Sequence, residues 1–338
     1  MRTSLPGASV SINSGIQIDY GDRRYLLDPR DSVPSDYTFV SHAHIDHVHR
    51  PKKGAKVLAS RETTDLAYAR GYDLGETVDQ LDSIDLLDSG HILGSRALRI
   101  GDEVLYTGDA AGRERAFLGR CRTRRARILI TETTYGSPEY VFPSTAKLVK
   151  EVNTLISDTF DKGKPVILMG YPLGKAQLLC YYFSAWGPLY LHESVARMNE
   201  VHRKYGIELK RGKTVDPASS GEGDFSAGPW LMVTPLMRGS SRFLSSLKRR
   251  YGAVIVAFSG WATDPGYGQY LGADYAFPMS DHCDYKELLR LVQEVAPEIV
   301  YTTHGHAQEF ARDLKRLGFT ARSLASYQSS LYDYLREP

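Results

Sequence analysis

The chain has few cysteines and no long apolar run. Its three cysteines, Cys121, Cys180 and Cys283, are odd in number and far apart, so a disulfide framework is not expected. No stretch approaches the roughly 18 to 20 consecutive apolar residues that a membrane-spanning helix requires. The opening residues, MRTSLPGASV, lack the apolar core of a secretion signal. The sequence therefore predicts a cytoplasmic protein that does not interact with a membrane.

The chain also lacks a strong net charge. Its 338 residues contain 42 Lys and Arg against 40 Asp and Glu, a formal net charge of +2. This balance excludes a polycation whose charge alone would indicate nucleic acid binding. One dense basic run, GRCRTRRAR at 119–127, is equally well explained as a solvated loop. Charge by itself therefore predicts no function.

Histidine and aspartate, in contrast, are concentrated in one short segment, TFVSHAHIDHVHRP at 38–51. Directly after an apolar run it reads His42-x-His44-x-Asp46-His47. Two imidazoles separated by one residue can be directed at one metal ion by an extended or looped backbone. The Asp46-His47 pair can face a second ion. The alternative, a polar surface loop, explains the pattern less well.

Further candidate ligands occur in short motifs elsewhere: His91 in DSGHILGS, Asp109 in YTGDAAG, Glu132 in ILITETT and His304 in YTTHGHAQ. Like His42, the last three follow predicted strands closely. Strands alternating with helices predict an α/β or mixed layered fold, and such sheets bind ligands beyond the carboxyl ends of their strands. Imidazole and carboxylate ligands together suit zinc or manganese.

The character of the sequence changes after Pro143. The segment TAKLVKEVNTLISDTF has apolar residues at helical spacing, and KPVILMGYPLGKAQLLCYYF reads as a strand, a turn and a helix. From about 284 the pattern predicts helix, strand, helix, with His304 at the end of the strand. His192 and His202 fall on a predicted helical surface and are interpreted as structural.

These residues resemble the motifs of a known family. The order Asp28, His42-Ala43-His44-Ile45-Asp46-His47, His91, Asp109 is similar to the four motifs of the metallo-β-lactamase fold. Glu132, His282 and His304 resemble motifs A, B and C of its β-CASP nuclease branch. TETTYGSPEYVFPS and PMSDHCDYKELL look closest to Artemis-like DNA-repair nucleases and bacterial ligase-associated DNA exonucleases.

The resemblance implies an αββα metallo-β-lactamase sandwich with an inserted β-CASP α/β domain. The sandwich is expected to comprise residues 1–143 and 266–338, and the insertion residues 144–265. Two divalent ions are implied, Zn²⁺ with Mn²⁺ as the alternative. The implied ligands are His42, His44 and His91 for the first ion, Asp46, His47 and His304 for the second, and Asp109 for both.

The resemblance also implies catalytic roles. Asp28 would orient a metal ligand by a hydrogen bond, and Asp46 would help to orient the attacking water. His282, held by Glu132, is the candidate general acid for the leaving 3′-oxygen, because histidine titrates near operating pH.

Ser280 and Lys175 are candidate contacts to a substrate phosphate. A helix cap and a solvated lysine are equally open alternatives for these two residues. Base stacking and core packing are the two readings for a set of aromatic residues near the motifs: Tyr135, Tyr140, Phe142 and Trp261.

The expected function is metal-dependent hydrolysis of single-stranded nucleic acid, foremost as a 5′-to-3′ DNA exonuclease in repair. A DNA ligase or other repair proteins are then expected partners. An RNA-processing endo- or exoribonuclease is the alternative: RNA-processing β-CASP enzymes have the motif C histidine, here His304, which many eukaryotic Artemis-like enzymes lack. A small-ester hydrolase is disfavoured because such enzymes lack motifs A to C. A non-cutting scaffold is disfavoured because every implied ligand position holds a competent side chain.

Overall fold

The computed structural model describes residues 7–324 except 13, 32, 50–55 and 218–224. Its strands are β1 (Ser9–Ile12), β2 (Ile16–Tyr20), β3 (Arg23–Leu27), β4 (Tyr37–Phe39), β5 (Val57–Leu58), β6 (Thr77–Val78), β7 (Ile84–Asp88), β8 (Arg96–Ile100), β9 (Val104–Tyr106), β10 (Ile128–Glu132), β11 (Val166–Gly170), β12 (Leu189–His192), β13 (Lys213–Val215), β14 (Leu231–Pro235), β15 (Val254–Phe258), β16 (Tyr275–Phe277), β17 (Ile299–Thr303) and β18 (Ala321–Ser323). Its helices are α1 (Arg61–Ala69), α2 (Thr145–Phe160), α3 (Lys175–Tyr182), α4 (Glu193–Lys204), α5 (Arg242–Tyr251), α6 (Tyr267–Leu271), α7 (Tyr285–Val295) and α8 (Ala307–Arg316). Among the described residues, no helix combines the length and apolar character that crossing a bilayer demands.

The chain divides into two compact units. Unit one comprises the described parts of Met1–Glu114, Leu118–Pro138 and His282–Tyr334. Unit two comprises the described parts of Arg115–Phe117 and Glu139–Asp281. The segment 144–265, which the resemblance predicts to be an insertion, lies inside unit two.

Unit one is a sandwich of two six-stranded sheets. Their strand orders are β1-β2-β3-β4-β5-β6 and β18-β17-β10-β9-β8-β7. Apolar residues of alternating strand positions fill the space between the sheets, among them Ile18, Leu27 and Phe39 from the first sheet and Leu98 and Ile130 from the second. Every second residue of a strand points to the same face of its sheet, so these positions share one core.

Helices α7 and α8 cover the other face of the second sheet. Leu288 and Val292 of α7 and Phe310 of α8 are fully buried against Leu129 of β10 and Val300 of β17. Burial of one such side chain contributes about 1.5 to 3 kcal/mol. This layering agrees with the predicted metallo-β-lactamase sandwich.

Unit two is a parallel α/β layer with the strand order β13-β12-β14-β11-β15-β16. Helix α2 begins after Ser144, whose hydroxyl accepts a hydrogen bond from the amide of Lys147. Leu148, Val152 and Ile156 of α2 form the buried stripe that the helical spacing predicts.

Two polar residues of unit two are buried, contrary to the predicted surface position of one and to the solvated alternative for the other. His202 of α4 is fully buried rather than on a helical surface, and Lys175 at the start of α3 is 2% exposed rather than solvated. The sequence pattern does not predict burial at either position, because both side chains are polar and the residues that cover them come from distant segments.

Candidate metal centre

The candidate ligands of unit one follow the carboxyl ends of strands. Asp28 follows β3, His42 follows β4, and Asp109 follows β9, while Glu132 and His304 stand at the ends of the adjacent strands β10 and β17. Strands β10 and β17 are parallel, with Glu132 paired to Thr303. Parallel pairing places the carboxyl ends of both strands at one edge, which brings residues far apart in sequence together.

Four side chains form a compact group: His42, His44, His91 and Asp109. Their ligand atoms all lie within 4.8 Å of one another. Nδ1 of His44 lies 3.0 Å from Nε2 of His42 and 3.1 Å from Nε2 of His91. Oδ2 of Asp109 lies 3.5 Å from Nε2 of His42 and 3.6 Å from Nε2 of His91. Three imidazole nitrogens and one carboxylate oxygen converging in this way form a donor set for one divalent ion.

A second group of candidate metal donors lies around His47. Its Nε2 lies 3.6 Å from Oδ2 of Asp109 and 3.6 Å from Oδ2 of Asp46. The ring centre of His304 lies 5.8 Å from that of His47. Asp109 is therefore in reach of both donor sets.

Asp28 forms hydrogen bonds with residues that adjoin the candidate ligands and with His47 itself. One of its oxygens accepts hydrogen bonds from the hydroxyls of Ser41 and Tyr106 and lies 2.9 Å from Nδ1 of His47; the other accepts from the Ser41 amide. Since the carboxylate is acceptor-only, His47 carries its proton on Nδ1 and directs Nε2 towards Asp46 and Asp109. Sequence reasoning missed Ser41 and Tyr106. Ser41 adjoins the histidine motif, but nothing in the strand VLY distinguishes Tyr106.

The buried Glu132 pairs with His282, whose side chain is 15% exposed. Nδ1 of His282 lies 3.1 Å from Oε1 of Glu132, and the Thr134 amide donates to Oε2 at 2.7 Å. Although burial opposes it, His282 and the Thr134 amide hold the pKa of Glu132 below its ordinary value. Glu132 is thus a carboxylate that fixes the Nδ1–H tautomer of His282. The ring of Tyr135, 5.8 Å from that of His282, packs edge-on against it.

The electrostatics of the centre favour the binding of a cation. Burial raises the pKa of Asp109 to about 7, with the nearby carboxylates of Glu132 and Asp46 adding to the effect. Burial also lowers the pKa of His42 well below its usual value, and the neighbouring histidines lower it further. A neutral imidazole is a competent ligand, and a bound cation would stabilise the Asp109 carboxylate. The residues therefore fit a divalent metal ion.

Two glycines let the backbone carry these ligands. A Cβ on Gly108 would stand 2.6 Å from Cβ of Ser41, and one on Gly90 would stand 2.7 Å from the carbonyl oxygen of Gly119. Both glycines have positive φ and directly precede ligands, Asp109 and His91. A side chain at either position would displace the strand end that holds the ligand.

Part of the chain matches a known protein family. Residues 275–324 match the family described as "Zn-dependent metallo-hydrolase RNA specificity domain". This segment contains His282 and the candidate ligand His304, while the other candidate ligands precede it in the chain. Together with the relatives described next, this match supports a metallo-β-lactamase β-CASP nuclease.

Relatives of this β-CASP protein carry different names. It is 36% identical over 305 residues to "Probable DNA ligase" of Opitutus terrae, an alignment that covers 85% of this chain and 28% of that protein. It is 25% identical over 370 residues to "RNase J-like protein" of Methanocaldococcus jannaschii, covering 88% of this chain and 86% of that one. The chain therefore spans well under half the length of the Opitutus protein.

The fold also has a match among solved structures. A protein of unknown function from Enterococcus faecalis V583 superposes with a TM-score of 0.56 at 15% sequence identity, over 87% of this chain and 92% of the other. At this identity the likeness concerns the fold alone.

The predicted phosphate contacts of the β-CASP protein lie in unit two. Nζ of Lys175 lies 2.7 Å from Oδ1 of Asp281 and donates to the carbonyl of Met279. Ser280 is half-buried and does not cap a helix, since α7 is capped by Asp284. The role of either residue in phosphate binding stays a prediction.

The aromatic candidates divide by burial. Tyr135 and Phe142 are buried, which agrees with core packing. Tyr140 and Trp261 are half-buried and pack edge to face, with ring centres 5.5 Å apart. Base stacking by these two stays a prediction.

Proposed function

We propose that this chain is a metal-dependent nuclease that hydrolyses phosphodiesters of single-stranded nucleic acid, foremost as a 5′-to-3′ DNA exonuclease. The observation that carries the proposal is the convergence of four candidate metal donors beside the pair of His282 and the buried carboxylate of Glu132. Asp109, Glu132 and His282 themselves lie within 4.8 Å of one another. Metal donors beside an acid–base pair suit hydrolysis of a phosphodiester, in which a leaving oxygen must be protonated.

We propose two Zn²⁺ ions at the centre. The first would be held by His42, His44 and His91, the second by Asp46, His47 and His304, with Asp109 as a ligand of both. Bound divalent ions supply Lewis-acid activation of water and neutralise charge on the phosphate. Asp46, 41% exposed, is positioned to hydrogen-bond an incoming water. The segment 144–265, which lies inside unit two, is proposed to be the β-CASP insertion.

The remaining chemistry belongs to His282. Its Nδ1–H is directed to Glu132, so Nε2 is the nitrogen that holds the transferable proton. The negative charge of Glu132 favours the imidazolium form from which that proton is donated. Protonation of the leaving 3′-oxygen by Nε2 leaves a neutral imidazole, still hydrogen-bonded through Nδ1. Glu132 thus orients the acid and compensates its charge.

DNA is favoured as the substrate because the relative at 36% identity, which matches 85% of this chain, is named as a DNA ligase. A DNA ligase is accordingly the partner to test first. RNA is the second candidate, because the matched family is described as an RNA specificity domain and another relative is named RNase J-like.

The test is cleavage of end-labelled single-stranded DNA and RNA of matched sequence, with 5′-phosphate or 5′-hydroxyl ends, in Zn²⁺ or Mn²⁺. Release of mononucleotides from 5′-phosphorylated DNA is expected. Asp109→Ala should abolish it, and His282→Gln should lower the rate by about 10²- to 10⁴-fold, the usual contribution of a general acid. Cleavage confined to RNA would establish the second candidate. No cleavage of either polymer by metal-loaded protein would contradict the nuclease proposal.

A further inference from the structure

A buried ion pair in unit two fixes the residues that precede His282 in the chain. Nζ of Lys175 lies 2.7 Å from Oδ1 of Asp281 and donates to the carbonyl oxygen of Met279 at 3.0 Å. The guanidinium of Arg115 donates to the carbonyl oxygen of Ser280 at 3.0 Å. Three successive residues, 279, 280 and 281, are therefore each held by a buried cation.

Stability alone explains this pair poorly. The side chains of Lys175 and Asp281 are 2% and 6% exposed, so both charges are desolvated. Burial lowers the pKa of Lys175 even though Asp281 opposes the shift. Replacing such a pair by apolar residues is often neutral or stabilising, whereas its geometry restricts the backbone to one conformation. The ion pair therefore holds residues 279–281 in one defined backbone conformation.

The residues that follow His282 are also fixed, here within unit one. The Cys283 amide donates to the carbonyl of Ala110 at 2.7 Å. Asp284 caps α7 and forms an ion pair of 2.5 Å with Arg113. The residues before and after His282 in the chain are thus both held in place. Asp281 is bonded directly to His282 through the peptide bond.

We propose that Lys175, acting through Asp281 and the Met279 carbonyl, is a positioning residue for His282. This inference rests on the proposed function, in which His282 is the general acid. A general acid must lie within about 2.6 to 3.2 Å of the atom that it protonates. A misplacement of about 1 Å can cost roughly 10²-fold in rate. Loss of the Lys175 contacts would release 279–281 and, with them, the orientation of the imidazole.

A direct phosphate contact is the competing role for Lys175. Its ammonium group is buried and already has a carboxylate and a carbonyl as partners, which disfavours a contact to substrate. The two roles differ in what they predict. A phosphate contact affects every phosphodiester, whereas a positioning residue of the general acid affects those whose leaving group needs a proton.

The experiment compares two substrates in Lys175→Met, Lys175→Arg and the double variant Lys175→Met/Asp281→Asn. One substrate is single-stranded DNA; the other is thymidine 5′-(p-nitrophenyl phosphate), whose leaving group needs no proton. Lys175→Met is expected to lower kcat on DNA by roughly 10- to 100-fold, the usual range for residues that orient catalytic groups, with little change in KM. Cleavage of the p-nitrophenyl ester should be nearly unchanged, as in His282→Gln. Lys175→Arg should restore part of the activity on DNA.

A matched control is Lys248→Met. Lys248 pairs with Asp274 at 2.6 Å in the same unit, but their side chains are 48% and 31% exposed, and neither adjoins a catalytic residue. This variant should leave both substrates unaffected. If Lys175→Met fails to fold because the buried Asp281 has lost its ammonium partner, the results for the double variant and Lys175→Arg decide. Equal losses on both substrates, or a rise in KM with kcat unchanged, would overturn the positioning role.

Hydrogen–deuterium exchange separates this inference from the proposed function. In Lys175→Met and the double variant, the amides of residues 279–284 should exchange faster than in the wild-type protein, with and without nuclease activity. Unchanged exchange there would overturn the inference even if the wild-type protein cleaves DNA. An inactive wild-type protein would overturn the proposed function alone.

Discussion

At the scale of single residues, the metal centre is built on backbone conformations that side chains rarely adopt. Asp28 and His304 have positive φ values of 39° and 55°. Each such conformation costs about 1 to 3 kcal/mol and persists only where surrounding contacts determine it. For Asp28 these contacts are the hydrogen bonds from Ser41 and Tyr106, and for His304 the hydroxyl of Thr133, which donates to its carbonyl. The strain is located where ligands must be oriented.

Gly108→Ala tests how closely the ligand strand and the histidine loop approach. The new Cβ would stand 2.6 Å from Cβ of Ser41, at a residue whose φ is 55°. Left-handed strain of about 1 to 2 kcal/mol and overpacking of about 1 to 3 kcal/mol should together lower the free energy of unfolding. Displacement of Ser41 should also weaken its bonds to Asp28 and so lower metal affinity. Urea unfolding and metal titration measure the two effects.

Gly163→Ala is the matched control for this substitution. Gly163 has a φ of 69°, but a Cβ there would meet nothing within 4 Å. Gly163→Ala should lower the free energy of unfolding only by the conformational strain, and it should leave the metal affinity unchanged. Equal losses of stability in the two variants would show that the contact with Ser41 is not restrictive.

At the scale of elements, the sequence predicts where strands end but not how they are ordered. The apolar runs before Glu132 and His304 are visible in the sequence, and both end at the predicted residues. That β10 and β17 are neighbours is not visible, because their pairing joins segments about 170 residues apart through tertiary packing. Hydrophobic periodicity does not predict that Glu132 and His304 belong to one site, whereas the resemblance to β-CASP motifs does. The Lys175–Asp281 pair had no comparable signal, since a buried lysine and a solvated one look alike in sequence.

Helix α4 carries a pH-sensitive residue far from any proposed ligand in the chain. His202 donates through Nδ1 to the carbonyl of Met198, and its Nε2 has no hydrogen-bond partner among the described residues. Burial lowers the pKa of His202 to about 4, although the bond to Met198 opposes the shift. Between that pKa and the ordinary value of about 6.5, the unfolded state binds a proton that the folded state does not. Stability from this residue is therefore present above about pH 6.5 and is lost as the pH falls towards 4.

His202→Gln should remove this dependence. The wild-type protein is expected to lose about 3 kcal/mol from His202 between about pH 6.5 and pH 4, at about 1.4 kcal/mol per pH unit. The variant, which retains a donor for Met198 but does not titrate, should show a flatter profile by that amount. Urea unfolding across this range measures the difference. Parallel profiles would mean that His202 is protonated in the folded protein.

At the scale of the whole molecule, each unit has its own apolar core, and all proposed metal ligands belong to unit one. A ligand that binds only the folded state stabilises it by about 2.7 kcal/mol at a concentration of 100 times its Kd. Metal should therefore stabilise unit one and leave unit two unaffected. The chain offers a direct readout, because its three tryptophans, Trp186, Trp230 and Trp261, all lie in unit two. Thermal unfolding followed by tryptophan fluorescence should be the same with Zn²⁺ and with a chelator, while a calorimetric transition silent in fluorescence moves to higher temperature with the metal. Asp109→Ala should remove that shift. A metal-dependent shift of equal size in both signals would show instead that the two units unfold as one.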